Sequence, residues 1–258
     1  MPNITAMGSR RKMAVYILFD TETTGNQEKD RIIQIGGMIL HGKSDVEIYD
    51  ELCSTDIPIS IEAMAVHNIT PEIIAGKAPF LETAFYEKVN EYNQPENYLI
   101  AHNIQFDLGM LEKEGFENHY TLIDTIRCAK HLYNDMPSHG LQYLRYALKL
   151  YLSEDEEAEK LGITVKAHDA IGDVLIMKLL LSKLVQEVKA QFPDTDIMHK
   201  LAELTTTPVL IPIFKFGKYK GREIEEIASE DAGYLKWMRK NLDLDEDMRY
   251  TLDHYLKS

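Results

Sequence analysis

Asp20 and Glu22 stand two residues apart, where the apolar run of residues 15–19 stops and the segment Asp20-Thr21-Glu22-Thr23-Thr24-Gly25 begins. The run reads as a strand, and residues two apart on a strand share a face, so both carboxylates point the same way. Like charges this close repel. A divalent cation between them relieves the repulsion, and hard cations such as magnesium favour carboxylate oxygen. A solitary pair of this kind reads as a solvated turn, but three further residues change the reading. Asp107 falls in the first turn of an expected helix, just past a buried strand, where an isolated acid would serve the helix dipole or cap. Asp173 lies among Ile171, Val174 and Leu175, and an acid on so apolar an element is costly unless paired, protonated or metal-bound. His168, which alone reads as a loop histidine, precedes Asp173 by five positions. Four acids and one histidine at strand ends and helix starts are poorly explained as independent accidents.

Periodicity shows which elements position these residues. Strand-like runs at 15–19, 31–40 and 46–53, separated by short breaks containing Gly or Asp, predict an antiparallel meander. An apolar segment at 59–67 follows, then Thr70, Pro71 and Glu72 as N-cap, first-turn proline and first-turn acid of a short helix. Helical spacing runs over 80–92, a short buried strand over 98–101, and a helix over 106–114 that Gly115 ends. A strand at 122–123 leads into a helix through 132, and Leu141, Leu144 and Leu148 mark another amphipathic helix. Residues 170–188 are apolar on most sides, which predicts a deeply buried helix. Strands first, then helices alternating with strands, give an α/β chain with a mixed sheet and helices packed on it. Past Lys189 the pattern loosens into a short helix at 197–204, a β-like run at 209–216 whose Pro212 favours an edge, and two or three short helices. We expect a disordered leader over 1–13, a main domain over 14–190 and a small C-terminal α+β region over 191–258.

Composition narrows the function classes. The 258 residues are 45% hydrophobic and 27% charged, and no apolar run approaches the ~20 residues needed to cross a membrane. The basic triplet Arg10-Arg11-Lys12 is followed by no apolar signal core. Cys53 and Cys128 lie on separate expected elements without metal spacing, and read as reduced, buried residues of a cytoplasmic protein. A net charge of −14 argues against a large non-specific nucleic-acid surface. The charge is uneven, however. Residues 154–160 hold five acids, whereas 208–222 hold Lys215, Lys218, Lys220 and Arg222 with no acid.

The ordered motifs D-x-E-x-T-G, H-N-x-x-F-D and H-x-x-x-x-D resemble those of the DEDD 3′–5′ exonuclease superfamily in its histidine-bearing branch. Residues 58–70 are similar to the family's segment before the second acid motif. Phe216-Gly217-Lys218-Tyr219-Lys220-Gly221-Arg222, with Tyr234-Leu235-Lys236-Trp237 and His254-Tyr255-Leu256, resembles the C-terminal region of one of its members. The long basic leader and the acid-rich stretch 153–160 depart from that pattern. The resemblance implies a ribonuclease H-like fold, here a mixed five-stranded sheet flanked by helices. It also implies a site for two Mg2+ ions, with Mn2+ as a substitute, held by Asp20, Glu22, Asp107 and Asp173. Two cations ~4 Å apart can bind the attacking and leaving oxygens of a phosphodiester. His168 would be the general base, its ordinary pKa of about 6.5 suiting proton transfer near neutral pH. The implied reaction is hydrolysis of DNA from a free 3′ end, single-stranded or in duplex, releasing nucleoside 5′-monophosphates, with a role in DNA repair.

Substrate contacts are expected from several places. The resemblance puts Thr23 and Thr24 beside the terminal nucleotide, and His67 and Asn103 at polar positions near its pocket; hydrogen bonds that merely fix loops are the alternative for the last two. Met64 reads either as packing on a base or as core. Lys215, Lys218, Lys220 and Arg222, interleaved with Phe216 and Tyr219, suit a strip that grips a strand, or else a solvated hairpin. Trp237, with Tyr234 and Leu235, reads as core of the small region. Competing functions are an RNA-trimming exonuclease, a polymerase proofreading subunit and a non-catalytic nucleic-acid-binding module. The last would be expected to lack at least one acid, and none is missing.

Overall fold

The computed structural model describes residues 14–42, 45–164 and 169–257. Its centre is a five-stranded sheet of order β3-β2-β1-β4-β5. The strands are β1 (Tyr16–Thr23), β2 (Ile32–Leu40), β3 (Val46–Leu52), β4 (Tyr98–Ala101) and β5 (Thr121–Asp124). The first three form the expected antiparallel meander, and β4 and β5 add in parallel beside β1. The sheet is therefore mixed, as the element order predicted. β1 is longer than its apolar run: it continues through Thr23, so Asp20 and Glu22 lie within the strand, opposite Gly36 and Gln34 of β2.

Helices cover both faces. After the short helices α1 (Ile61–His67) and α2 (Pro71–Ile74) come α3 (Ala84–Glu91) and α4 (Ile104–Lys113). Then follow α5 (Thr125–Leu132), α6 (Leu141–Ala147), α7 (Glu154–Leu161), α8 (Ala170–Gln191) and α9 (Ile197–Thr206). The period of two along β1 assigns its side chains to opposite layers. Ile17 and Phe19 join Phe85 and Val89 of α3 and Leu108 and Leu111 of α4. Leu18 joins the layer of Val174, Met177 and Leu180 from α8 and Cys128 from α5. Asp20 and Glu22 share Leu18's parity and so face α8, whereas Thr21 faces α4.

Two adjacent glycines of β2 set how closely these layers approach. A Cβ on Gly36 would lie 2.4 Å from the carbonyl carbon of Ala170 at the start of α8, and one on Gly37 would lie 2.3 Å from the Phe85 ring on the other face. Only the bare backbone lets α8 settle against β2 beside Asp20.

The chain closes with α10 (Ile224–Glu230), α11 (Ala232–Asn241) and α12 (Glu246–Lys257). The strand expected over 209–216 reduces to one antiparallel bridge, Ile213 to Glu223. Pro212 has no N–H to extend it, and the loop closes on itself through Phe214 N to Arg222 O and Gly221 N to Phe214 O. Phe214, Ile224, Ile227, Leu235, Met238, Met248 and Leu252 form a separate apolar cluster. Trp237 is not part of that core; it is 51% exposed and stacks on Tyr234 at 6.0 Å. The region is fastened to α5, because Arg127 donates to Asp247 Oδ2 at 2.5 Å and to Thr207 O at 2.7 Å. No helix among the described residues is long and apolar enough to cross a membrane.

Candidate active site

Asp20 and Glu22 project from β1 toward the first turn of α8, which carries Asp173. Asp107, in the first turn of α4, approaches the same strand from its other side. Its Oδ1 accepts from Thr21 N at 3.0 Å and Thr21 Oγ1 at 2.7 Å. Thr21 thus ties the second acid motif to the first. Asn103, just before α4, adopts the left-handed backbone (φ 74°) that asparagine tolerates, and its N–H donates to Asp124 Oδ1 at 3.0 Å. Asp124 is the N-cap of α5 and also accepts from Ile126 N. The turn that delivers Asp107 is therefore anchored at both ends.

The acids act on one another. Burial first, then the charges of Asp107, Asp173 and Glu22, hold the Asp20 carboxyl well above the usual carboxylate range. Burial, then Asp173, Asp107 and Asp169, push Glu22 up to about 8. Burial raises Asp107 to about 7 against the opposing bonds from Thr21, with Asp124 adding to the rise. Four carboxylates from β1, α4 and α8 share one electrostatic volume.

Their present hydrogen bonds are with protein donors. Among the described residues, no three His, Cys, Asp or Glu side chains stand ready-made at metal-ligand spacing. Gln142 Nε2 of α6 donates to Asp173 Oδ1 at 2.9 Å, while Thr21 holds one oxygen of Asp107. The donor set still fits a hard divalent cation. It is all oxygen, it is anionic, and three of its members resist ionisation where no cation offsets them.

The expected base, His168, lies outside the described residues. Its neighbour Asp169, the N-cap residue of α8, accepts from Gln34 Nε2 at 2.7 Å, and the same amide donates to Asp50 Oδ1 at 2.9 Å. Two other motif histidines are poorly suited to take a proton near neutral pH. Burial drives His102 down to about 4, with its Nδ1 against Thr125 Oγ1 at 2.9 Å. His67 is also lowered by burial; its Nδ1 accepts from Ile69 N and its Nε2 donates to Thr23 O.

The expected substrate contacts divide. Thr23 Oγ1 donates to Gly25 O, and Thr24 Oγ1 donates to Asp30 Oδ1, so both hydroxyls are spent inside the loop after β1. His67 fixes that loop too. Met64 is half-buried beside the small cluster of Ile33, Ile59, Ile69 and Ile74, while Asn103 is exposed. In the tail, Arg222 forks to Glu230 and also reaches Glu226, and Lys218 pairs with Asp231. Lys215, Lys220 and Phe216 are exposed.

Pattern reading missed Thr21, Gly36, Gln34, Gln142 and Asp169. Thr21 carried a signal, since it sits between the two acids; the others act through partners that only folding brings near.

Comparison with known proteins agrees with this architecture. A family model described as Exonuclease matches residues 17–181, and one described as Exodeoxyribonuclease X-like C-terminal matches residues 214–243. Exodeoxyribonuclease 10 of Escherichia coli is 31% identical over 247 residues, covering 93% of this chain and 98% of that protein. A PolC-type DNA polymerase III of Streptococcus thermophilus is 31% identical over 137 residues, covering 50% of this chain and 9% of the polymerase. A solved exonuclease X in complex with 5′-overhanging duplex DNA superposes with a TM-score of 0.51 at 22% identity, covering 74% of this chain and 99% of that one.

Proposed function

The chain belongs to the exonuclease family, and we propose that it is a metal-dependent 3′–5′ exodeoxyribonuclease that releases nucleoside 5′-monophosphates from DNA ends. The observation that carries this reading is the shared electrostatic volume of Asp20, Glu22, Asp107 and Asp173, in which burial raises the pKa of the first three and repulsion from the other acids adds to the rise at Asp20 and Glu22. Divalent cations held there, Mg2+ or Mn2+, would supply positive charge against the anionic phosphodiester and make the attacking water more acidic. The protein's own part is to converge the ligands. β1 presents two on one face, Thr21 fixes the orientation of Asp107, and Gly36 admits α8 close enough to bring Asp173. His168 takes the proton of the attacking water. The Gln34–Asp169 contact fixes the residue that follows it in the sequence.

The same reading covers the substrate path. Asn103 and Met64 flank the terminal nucleotide, and the hydroxyls of Thr23 and Thr24 shape the loop from within. The C-terminal region grips the following strand through Lys215 and Lys220 with the exposed rings of Phe216 and Trp237. Cations neutralise phosphates and aromatic faces stack on bases. Lys218 and Arg222 contribute less there, because acids on the same region already pair with them. DNA repair is the cellular role most in keeping with release of nucleotides from free ends. A proofreading role has one observation in its favour, the likeness to PolC-type polymerases, but those matches cover 50–68% of this chain and only 9–13% of the polymerases.

A digest of 3′- and 5′-labelled DNA and RNA oligomers with Mg2+, Mn2+ or chelator tests the proposal. It expects mononucleotides shed from the 3′ end of DNA in metal alone. Release from the 5′ end, or faster RNA digestion, would refute the polarity or the substrate.

A further inference from the structure

The acid-rich stretch 153–160 forms α7, and its first residue is buried. Glu154, at the N-terminus of α7, forms a bidentate pair with Arg145 of α6: Nε donates to Oε1 at 2.5 Å and Nη2 to Oε2. The side chains of the two are 5% and 22% exposed, so solvent screens the pair weakly. The guanidinium does not stop there. Arg145 Nη1 donates to Gln142 Oε1 at 3.3 Å, and Gln142 Nε2 donates to Asp173 Oδ1 at 2.9 Å. Arg145 and Gln142 are three residues apart on one helix, so they lie on the same face. A second tie holds α7 in place, Lys178 of α8 donating to Glu157 Oε1 at 2.5 Å.

We propose that α7 anchors a chain of contacts, Glu154 to Arg145 to Gln142, that positions the Asp173 carboxylate for the divalent cation. The proposal rests on the reading of Asp173 as a metal ligand. Gln142 and Arg145 are positioning residues: neither touches substrate, and each acts through its neighbour. The amide of Gln142 is oriented by the guanidinium, because Arg145 offers only donors and must meet the amide oxygen, which turns the NH2 toward Asp173. With Oδ1 accepting from the Gln142 amide, the orientation of the carboxylate is constrained from the α6 side. Partners of this kind around a metal ligand are worth roughly 10–100-fold in metal affinity or activity.

The test is Mn2+ binding to the full-length protein, read by electron paramagnetic resonance of the free ion, together with thermal melts in chelator. Gln142→Met keeps the side chain's length and leaves no charge stranded. It should weaken Mn2+ binding about 10-fold or more, with little change in melting temperature. Arg145→Met alone strands the buried Glu154, so Arg145→Met/Glu154→Met is the informative second variant. It should weaken binding to a similar extent, and combining it with Gln142→Met should add little, because the residues act in series. Mn2+ affinity within twofold of the parent in Gln142→Met would overturn the proposal, as would losses that simply multiply. Asp173→Asn separates the two readings. Unchanged affinity there removes the ligand role itself, whereas loss there with unchanged affinity in Gln142→Met overturns only the chain of contacts.

Discussion

Replacing Gly36 by alanine should disable the enzyme from a position that touches no substrate. The new methyl would lie 2.4 Å from the carbonyl carbon of Ala170, 2.5 Å from the N of Ile171 and 2.6 Å from the Ala170 oxygen, where ordinary contact is 3.4–4 Å. All three are backbone atoms, so no side chain can rotate away, and the start of α8 must move by about 1 Å. Asp173 lies on that first turn and moves with it, away from Asp20, which faces Gly36 across the strands. Overpacking of this kind costs about 1–3 kcal/mol, and at this chain length each kcal/mol lowers the melting temperature by roughly 2–4 °C. A 1 Å misplacement of a reacting constellation costs about 100-fold in rate. Gly37→Ala is the control. Its methyl meets the Phe85 ring 2.3 Å away on the opposite face, so it should destabilise comparably while turnover stays within a few-fold. The assay is turnover on a labelled single strand at saturating Mg2+, beside thermal melts of both variants. If Gly36→Ala keeps near-parental turnover, or the two variants lose turnover equally, the claim that this glycine sets the acid cluster is wrong.

Four other outcomes follow from the site. Asp20→Asn should abolish hydrolysis while leaving the melting temperature in chelator unchanged or higher, since it replaces a buried acid whose ionisation burial, Asp107, Asp173 and Glu22 oppose with a neutral amide of the same shape; joint loss of fold and activity would contradict this. Glu22 and Asp107 have folded pKa values of about 8 and 7, raised from 4.5 and 3.8, so the folded state binds more protons than the unfolded one across that range. Metal-free stability should therefore fall as pH rises from about 4 to 8, and Mg2+ should raise the melting temperature more at pH 8 than at pH 5; a metal-free melt rising over that range would be the wrong sign. His168→Ala should lower turnover ~100-fold or more with little change in DNA affinity, checked by fluorescence anisotropy and single-turnover rates. Lys215→Ala/Lys220→Ala should reduce the slope of log affinity against log salt by about 1.4 for single strands, whereas Arg222→Ala, already paired, should change it less.

What was legible in the sequence was local or periodic. The two carboxylates of β1 share a face because strands alternate, and Asp173 stood out because its neighbours are apolar. The mixed sheet followed from strands that come first and then alternate with helices. What was hidden depended on pairs far apart in the chain. Gln142 is an ordinary polar residue until folding brings it to Asp173, 31 positions away. Gly36 and Gly37 look like two flexible residues in a strand, yet each permits a different layer to approach. The five acids of 154–160 look like one solvated face, but Glu154 is buried against Arg145. Trp237 misled because large aromatics usually fill cores, whereas Leu235 and Met238 of the same helix already fill this one.

The central claim is that carboxylates from β1, α4 and α8 converge to hold the divalent cations on which hydrolysis depends. The most direct measurement is turnover of a 3′-labelled DNA strand by exhaustively chelated protein, before and after Mg2+ is returned, for the parent and Asp20→Asn. The account predicts no mononucleotide from chelated protein, full recovery with Mg2+ in the parent, and none in the variant. Sustained release of mononucleotides after chelation, or recovery in Asp20→Asn equal to the parent's, would contradict it.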